Sequence, residues 1–256
     1  MFIDLNCDLG ESYGSFKVGM DEEVIPFVTS VNVACGYHGG DPVVMEKTVR
    51  MAVQHGVAVG AHPSFPDLMG FGRRDMKLTT DEAVAYVKYQ LGALYAFARS
   101  AGTELQHLKA HGALYNMAGR DIAMARALAR AIREFDSQIL LLGLPNSKME
   151  EAADELNIGY VQEFFADRAY NDDGSLVSRS LEGSVIHDTD VAVGRVVRMV
   201  KEGVVETYTG KTLKLNCGSV CVHGDNASAV SFVKTIRAEL EKQGVAVADM
   251  RRVIAG

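Results

Sequence analysis

Short apolar runs recur along the chain, and most are followed by a polar turn and a segment whose apolar residues return every three or four positions. The runs at 2–7, 30–35, 57–61, 105–110, 139–144, 159–164 and 213–222 predict strands. The longer period predicts helices over 43–54, 80–101, 122–135, 147–156, 189–201 and 227–242. Thr80 reads as a helix N-cap, and Gly56, Gly102, Gly203 and Gly244 stand where helices end in a left-handed residue. Such βαβα alternation requires a mainly parallel sheet with helices outside, and seven strand candidates favour a slightly irregular (β/α) barrel over an open doubly wound sheet.

Within two strands the alternation is unusual. Asp4, Asn6 and Asp8 share one face of the first run, opposite Leu5 and Cys7, while His107, Lys109 and His111 share a face opposite Leu108 and Ala110. A parallel barrel strand is expected to be apolar on both faces, and unpartnered buried charge costs several kcal/mol. Either these groups pair internally, or they open onto a wet chamber at the C-terminal mouth, where barrels keep their chemistry; the second reading is preferred. His38, His62, His111 and His223 each sit in a glycine-rich turn at the end of such a run and rank above His107. His55 and His187 stand at helix ends and read as structural.

Composition changes the picture mainly by exclusion. With 33 acidic against 26 basic residues the net charge is -7, and no basic stripe suits a phosphate backbone, so nucleic acid is not expected. No apolar run reaches the roughly 18 residues of a membrane span and no leader is visible, which predicts a cytoplasmic protein without a membrane partner. Cys7, Cys35, Cys217 and Cys221 then read as reduced, packed thiols. No linker or repeat divides 1–256, so one domain is expected, with 166–188 long enough to fold over a site as a lid.

Phosphate-loop, dinucleotide-binding and nucleophile-elbow motifs are absent. What remains is carboxylates, imidazoles and a lysine, suited to acid-base attack of water on a carbonyl, with room for metal assistance. The turn Gly36-Tyr-His38-Gly-Gly-Asp41-Pro42 leads into a helix whose first amides could hold an anion. Arg73 and Arg74 after Gly70-Phe-Gly could grip a carboxylate, or form a solvated surface pair.

Together the motifs Asp4-Leu-Asn-Cys-Asp8-Leu-Gly-Glu11, Asn32-Val-Ala-Cys-Gly-Tyr-His38, Gly60-Ala-His62-Pro-Ser, Gly70-Phe-Gly-Arg73-Arg74, Lys109-Ala-His111-Gly, Glu163-Phe-Phe-Ala-Asp-Arg168 and Val222-His223-Gly-Asp225 resemble, in order, those of the LamB/YcsF family of prokaryotic 5-oxoprolinase subunits. Ala110 and Phe65 depart from the usual proline and tyrosine without removing a reactive group. The resemblance implies an irregular (β/α)7-like barrel of the glycoside hydrolase/deacetylase type. It also implies a cytosolic hydrolase that, with partner subunits B and C, opens the lactam of 5-oxo-L-proline to L-glutamate using ATP. On that reading the partners perform or share phosphorylation and this chain opens the ring.

Asp8, Lys109, His111 and His38 then become catalytic candidates, with Asp8 and His111 activating water or moving protons. Asn6, Glu11, Arg73, Arg74, Glu163, Arg168, His223 and Asp225 become substrate-binding candidates. By analogy with deacetylases of the same broad fold, Asp8, His62 and His111 are the nearest set for a divalent metal. A metal-dependent sugar or N-acetyl deacetylase and a noncatalytic carbohydrate- or carboxylate-binding subunit stand as alternatives, and a homo-oligomer stays open.

Overall fold

A computed structural model describes residues 1–223 and 227–256. In chain order the strands are β1 (Phe2–Leu9), β2 (Ser30–Ala34), β3 (Ala58–His62), β4 (Leu105–Lys109), β5 (Leu140–Gly143), β6 (Tyr160–Phe165), β7 (Val204–Glu206), β8 (Thr212–Lys214), β9 (Ser219–Val222) and β10 (Ala246–Val247). The helices are α1 (Asp21–Val24), α2 (Pro42–Gln54), α3 (Thr80–Ser100), α4 (Gly112–Arg120), α5 (Ile122–Phe135), α6 (Lys148–Leu156), α7 (Thr189–Glu202), α8 (Ala227–Lys242) and α9 (Met250–Ala255). Strands β1 to β6 and β9 run parallel, and β9 pairs back onto β1 with Asp4 opposite Ser219, so seven strands close a barrel. β10 extends β1 at its start, and β7 with β8 forms a separate antiparallel hairpin.

Outward positions such as Leu5, Cys7, Val31, Val33, Leu108, Leu141, Phe164 and Val220 are buried under the helices. This is the apolar half of the alternation, and its removal from water drives the closed layer. The inward half is largely polar: Asp4, Asn6, Ser30, Asn32, His107, Glu163 and Ser219 are buried inside the barrel, with Leu140, Leu142 and Val161 as apolar exceptions. Gly60 makes room for this filling, because a Cβ there would lie 2.1 Å from His107 Nε2.

Some sequence expectations need correction. The run at 213–222 is two strands, since Leu215 to Gly218 leave the hairpin and turn into the barrel, where Gly218 N bonds Gln162 O at 2.9 Å. The cap of α3 is Thr79, not Thr80: its hydroxyl accepts from Glu82 N, and the Glu82 carboxylate accepts from Thr79 N at 2.8 Å, which forms a capping box. Gly56, Gly102, Gly203 and Gly244 do carry positive φ after their helices. Helices α1, α4 and α9 and strand β10 are too short, or too closely attached to a turn, to show a period.

Candidate active site

Asp8 closes the polar face of β1 near its C-terminal end. Its Oδ1 accepts from Asn32 Nδ2 at 2.8 Å and from the Lys109 ammonium at 3.1 Å, and its Oδ2 lies 3.4 Å from His62 Nε2. Lys109, on β4, is almost wholly enclosed. Glu163 Oε1 lies 2.7 Å from Nζ, Asn6 Oδ1 3.2 Å and Cys221 Sγ 3.1 Å, and the ammonium stands 5.0 Å from the centre of the Phe165 ring. Burial opposes its charge, but Asp8, Cys221 and Glu163 outweigh burial and hold its pKa well above the ordinary range. Lys109 is therefore a fixed cation rather than a base. Burial likewise pushes the Asp8 carboxyl up, yet His62 and Lys109 together hold it well below the usual carboxylate range.

Above this pair stands a ring of imidazoles. His62 Nδ1 lies 2.8 Å from Lys109 O, and His111 Nε2 lies 2.8 Å from Phe71 O. A carbonyl only accepts, so each of these nitrogens carries a proton. The remaining nitrogens, His62 Nε2 and His111 Nδ1, face each other at 3.0 Å and need one further proton between them. Although burial disfavours the charge, Asp8 raises the His62 pKa, whereas burial and the neighbouring imidazoles hold His111 well below the ordinary value. The shared proton accordingly belongs to His62, as an imidazolium donating to neutral His111.

His38 lies behind His111, fully buried and stacked on it at 3.7 Å with 5° between planes, its Nε2 3.0 Å from Glu11 Oε1. Burial and the His62 charge keep it neutral, and burial raises Glu11 above an ordinary glutamate. The loop carrying Phe71 is fixed over this ring by Gly72, whose φ is +63° and where a Cβ would meet Ser64 Oγ at 2.1 Å.

A cavity of about 1540 Å³ opens above, with Asp8, Glu11, His62, Lys109 and His111 on its floor. The segment 166–188 forms one wall and is folded on itself through bridges Arg168 to Val185 and Tyr170 to Leu176. Arg73 lines the mouth, its guanidinium 5.2 Å from the Phe71 ring centre.

The other sequence candidates are placed unevenly. Asn6 and Glu163 lie beneath the floor as partners of Lys109, and His38 backs His111 without lining the cavity. Arg74 is not brought to the cavity: its guanidinium pairs with Asp67 and otherwise faces solvent. Arg168 borders the cavity but spends its guanidinium on the carbonyls of Ser184 and Val177, pinning the wall. His223 Nδ1 pairs with Asp167 Oδ2 at 2.9 Å inside the cavity, while Asp225 lies outside the described residues.

His187, read as structural, also lines the cavity. The first amides of α2, expected to hold an anion, are already occupied, because Asp41 caps Val43 N and Val44 N itself. Sequence reasoning missed Asn32, Tyr115, Asp167 and Ser219. The first and last carried a legible signal, since Ser30 with Asn32 and Ser219 with Cys221 continue the period-two inward face. Tyr115 donates to Glu163 Oε2 at 2.9 Å from a helix whose pattern gives no hint of it.

Donor atoms of Glu11, His38, His62 and His111 lie within 4.8 Å of one another, so this cluster has the ligand chemistry to hold a metal. It shares His62 and His111 with the set expected from the sequence; Asp8, whose Oδ2 lies 3.4 Å from His62 Nε2, falls in a second such group with Cys221 and His223. Parallel stacking keeps the in-plane lone pairs of His38 and His111 from converging, so only one of those two rings can serve a single ion as they stand.

A family model described as the LamB/YcsF family matches residues 3–255. The A subunit of the 5-oxoprolinase of Alkaliphilus metalliredigens is 56% identical over 248 residues, covering 97% of each chain. The crystal structure of a lactam utilization protein from Thermus thermophilus superposes with a TM-score of 0.93 at 47% identity, over 97% of this chain and 99% of that one. A family 4 carbohydrate esterase from Streptomyces lividans shares the fold alone, with a TM-score of 0.50 at 12% identity over 96% and 91% of the two chains.

Proposed function

The chain belongs to the LamB/YcsF family, and from that membership we propose that it is the ring-opening subunit of an ATP-dependent 5-oxoprolinase, converting 5-oxo-L-proline to L-glutamate. The observation that carries the reading is the Asp8 carboxylate beside the His62 imidazolium on the floor of one cavity, with Glu11 and neutral His111 next to them. The names of the relatives support a place in a 5-oxoprolinase.

Lactam opening needs a water oxygen added to the carbonyl carbon, a base for the water proton, and a proton for the ring nitrogen as the carbon–nitrogen bond breaks. Asp8, held ionised by Lys109, aligns the water as an acceptor. Glu11, raised by burial, is better matched to take its proton, and His62 supplies the proton that the nitrogen needs. Lys109 acts through Asp8 rather than on substrate. Arg73, at the mouth with no ion pair among the described residues, takes the substrate carboxylate.

Partner subunits B and C use the ATP, phosphorylating the lactam oxygen with release of ADP before this chain acts, which fits the missing phosphate loop; water addition and carbon–nitrogen cleavage then leave an acyl phosphate of glutamate, and a second water releases its phosphate. The assembly works in the cytoplasm, in keeping with the finding that no described helix is long and apolar enough to cross a membrane. A divalent metal would be held by Glu11, His62 and His111 and would polarise the carbonyl; it would take the His62 Nε2 and Glu11 lone pairs, so it is an alternative to the proton transfers above rather than an addition to them.

The test is glutamate release from 5-oxoproline and ATP by this chain alone, by the two partners alone, and by all three. Glutamate from the complete mixture only is the expected result. Full-rate, 5-oxoproline-dependent ATP hydrolysis by this chain alone would overturn the division of labour. Silence from every mixture would remove the lactam reading and favour a deacetylase.

A further inference from the structure

The polar filling of the barrel has a direction, and it is forced by donor and acceptor counting. Lys109 Nζ offers three hydrogens and no lone pair, so the Asn6 atom 3.2 Å away must be the carbonyl oxygen. Asn32 Nδ2, 2.8 Å from the same oxygen, requires the same choice, because Asn32 turns its own oxygen to His107 Nε2 at 2.6 Å. The Asn6 amide nitrogen therefore faces down, 2.7 Å from Ser219 Oγ, which must accept. The Ser219 hydrogen then goes to Asp4 Oδ2, at the opposite end of the barrel from the cavity.

Asp4 is wholly buried on β1. Its other oxygen takes hydrogen bonds from Ser30 at 2.6 Å and Thr29 at 2.7 Å. We propose that Asp4 and Ser219 are positioning residues for Lys109: by accepting and relaying hydrogen bonds they dictate which way the Asn6 amide faces, and so hold the ammonium beneath Asp8.

Without the Ser219 acceptor, the Asn6 amide hydrogens are stranded in a sealed interior, and the relief open to them is a half-turn of the amide. That turn points hydrogens at the Lys109 ammonium and at Asn32 Nδ2. Lys109 then has to leave Asp8 for its remaining anionic partner, Glu163. An oxygen at the Asp4 position is what matters rather than its charge. The Asp4→Asn substitution would keep an oxygen toward Ser219 and turn the amide hydrogens to Ser30 and Thr29. Both hydroxyls have other acceptors within reach, Gln106 Oε1 at 3.2 Å for Ser30 and Leu5 O at 3.3 Å for Thr29.

The test compares Ser219→Ala, Asp4→Leu and Asp4→Asn, first by crystal structure and then in the complete three-subunit assay. Ser219→Ala and Asp4→Leu are expected to move Lys109 Nζ beyond ionic contact with Asp8. They should also lower kcat about 100-fold, the scale of a roughly 1 Å misplacement, with KM unchanged. Asp4→Asn is expected to keep both the contact and kcat within about threefold of the parent. Ser219→Ala is a small change that keeps a folded chain testable should Asp4→Leu fail to fold. Lys109 in place in Ser219→Ala, or Asp4→Asn as damaging as Asp4→Leu, would overturn the proposal. The kinetic arm rests on the lactam reading; a wild-type assembly that makes no glutamate would count against that reading, while the crystallographic arm still decides the position of Lys109.

Discussion

Asp4 and Asp8 lie on one face of one strand, four residues apart, Asp4 sealed inside the barrel and Asp8 at the cavity floor, yet their carboxyls are displaced in opposite directions. Asp4 is met by three hydroxyls and no cation, and burial wins: its pKa is raised to about 6. Asp8 is met by Lys109 and His62, and the cations win. Neutral hydrogen bonds soften the loss of water around a carboxylate but do not replace a positive charge, since each supplies only a dipole. The closed end of the barrel is thus a network of hydrogen bonds in which a proton is easily kept. The mouth is an ionised machine with its charges fixed in advance.

The sharpest way to break this contrast is to remove the cation. Lys109→Met leaves Glu163 buried without its cation and Asp8 with His62 alone, a loss expected to cost about 3–5 kcal/mol of stability and to abolish measurable glutamate formation; urea unfolding with the coupled assay checks both. A variant as stable as the parent would mean that water already reaches this pair.

The contrast also predicts opposite pH responses. The folded pKa of Asp4 is above its unfolded value of 3.8, so the folded state binds the extra proton and stability falls as pH rises from about 4 to about 6. At 1.36 kcal/mol per unit this amounts to roughly 3 kcal/mol. Asp8 is depressed, so its contribution is present above about pH 4 and is lost below it. Unfolding curves of the parent and Asp4→Asn should therefore diverge across pH 4 to 6, the parent losing about 3 kcal/mol relative to the variant. Asp21, also raised to about 6, titrates in both proteins and drops out of the difference. Parallel curves would place the Asp4 carboxyl in the ordinary range.

The smallest effect separates the two arginines. Arg73→Ala is expected to raise KM roughly 10- to 100-fold through one lost charge-assisted contact, at nearly constant kcat. Arg74→Ala, which removes the exposed partner of buried Asp67 away from the cavity, should change KM less than about threefold. Equal effects would mean that the loop as a whole, not Arg73, meets the substrate.

Much of this was legible in the sequence. Period-two alternation identified the polar inner face of β1 and β4, and the turns placed His62 and His111 at strand ends. It could not tell whether inward polar groups pair or open onto a chamber. The structure shows both at different depths, with Asp4 and Asn6 sealed and Asp8 at the cavity, because depth along a barrel is set by strand register rather than by pattern. Arg73 and Arg74 are equivalent in sequence; only the turn at Phe71 and Gly72 sends one to the mouth and the other to Asp67. His38 shares its glycine-rich setting with His111, but only packing reveals that it stacks behind that ring.

The central claim is that the ionised mouth opens the ring after the carbonyl has been activated elsewhere. The most direct measurement is to follow phosphate and glutamate together in the three-subunit assembly carrying Asp8→Asn. Continued 5-oxoproline-dependent phosphate release, as water cleaves the phosphorylated lactam back to 5-oxoproline with the ring intact, together with glutamate reduced by about 1000-fold, is the predicted result. Glutamate formed at the parental rate, or phosphate and glutamate lost in equal proportion, would contradict it.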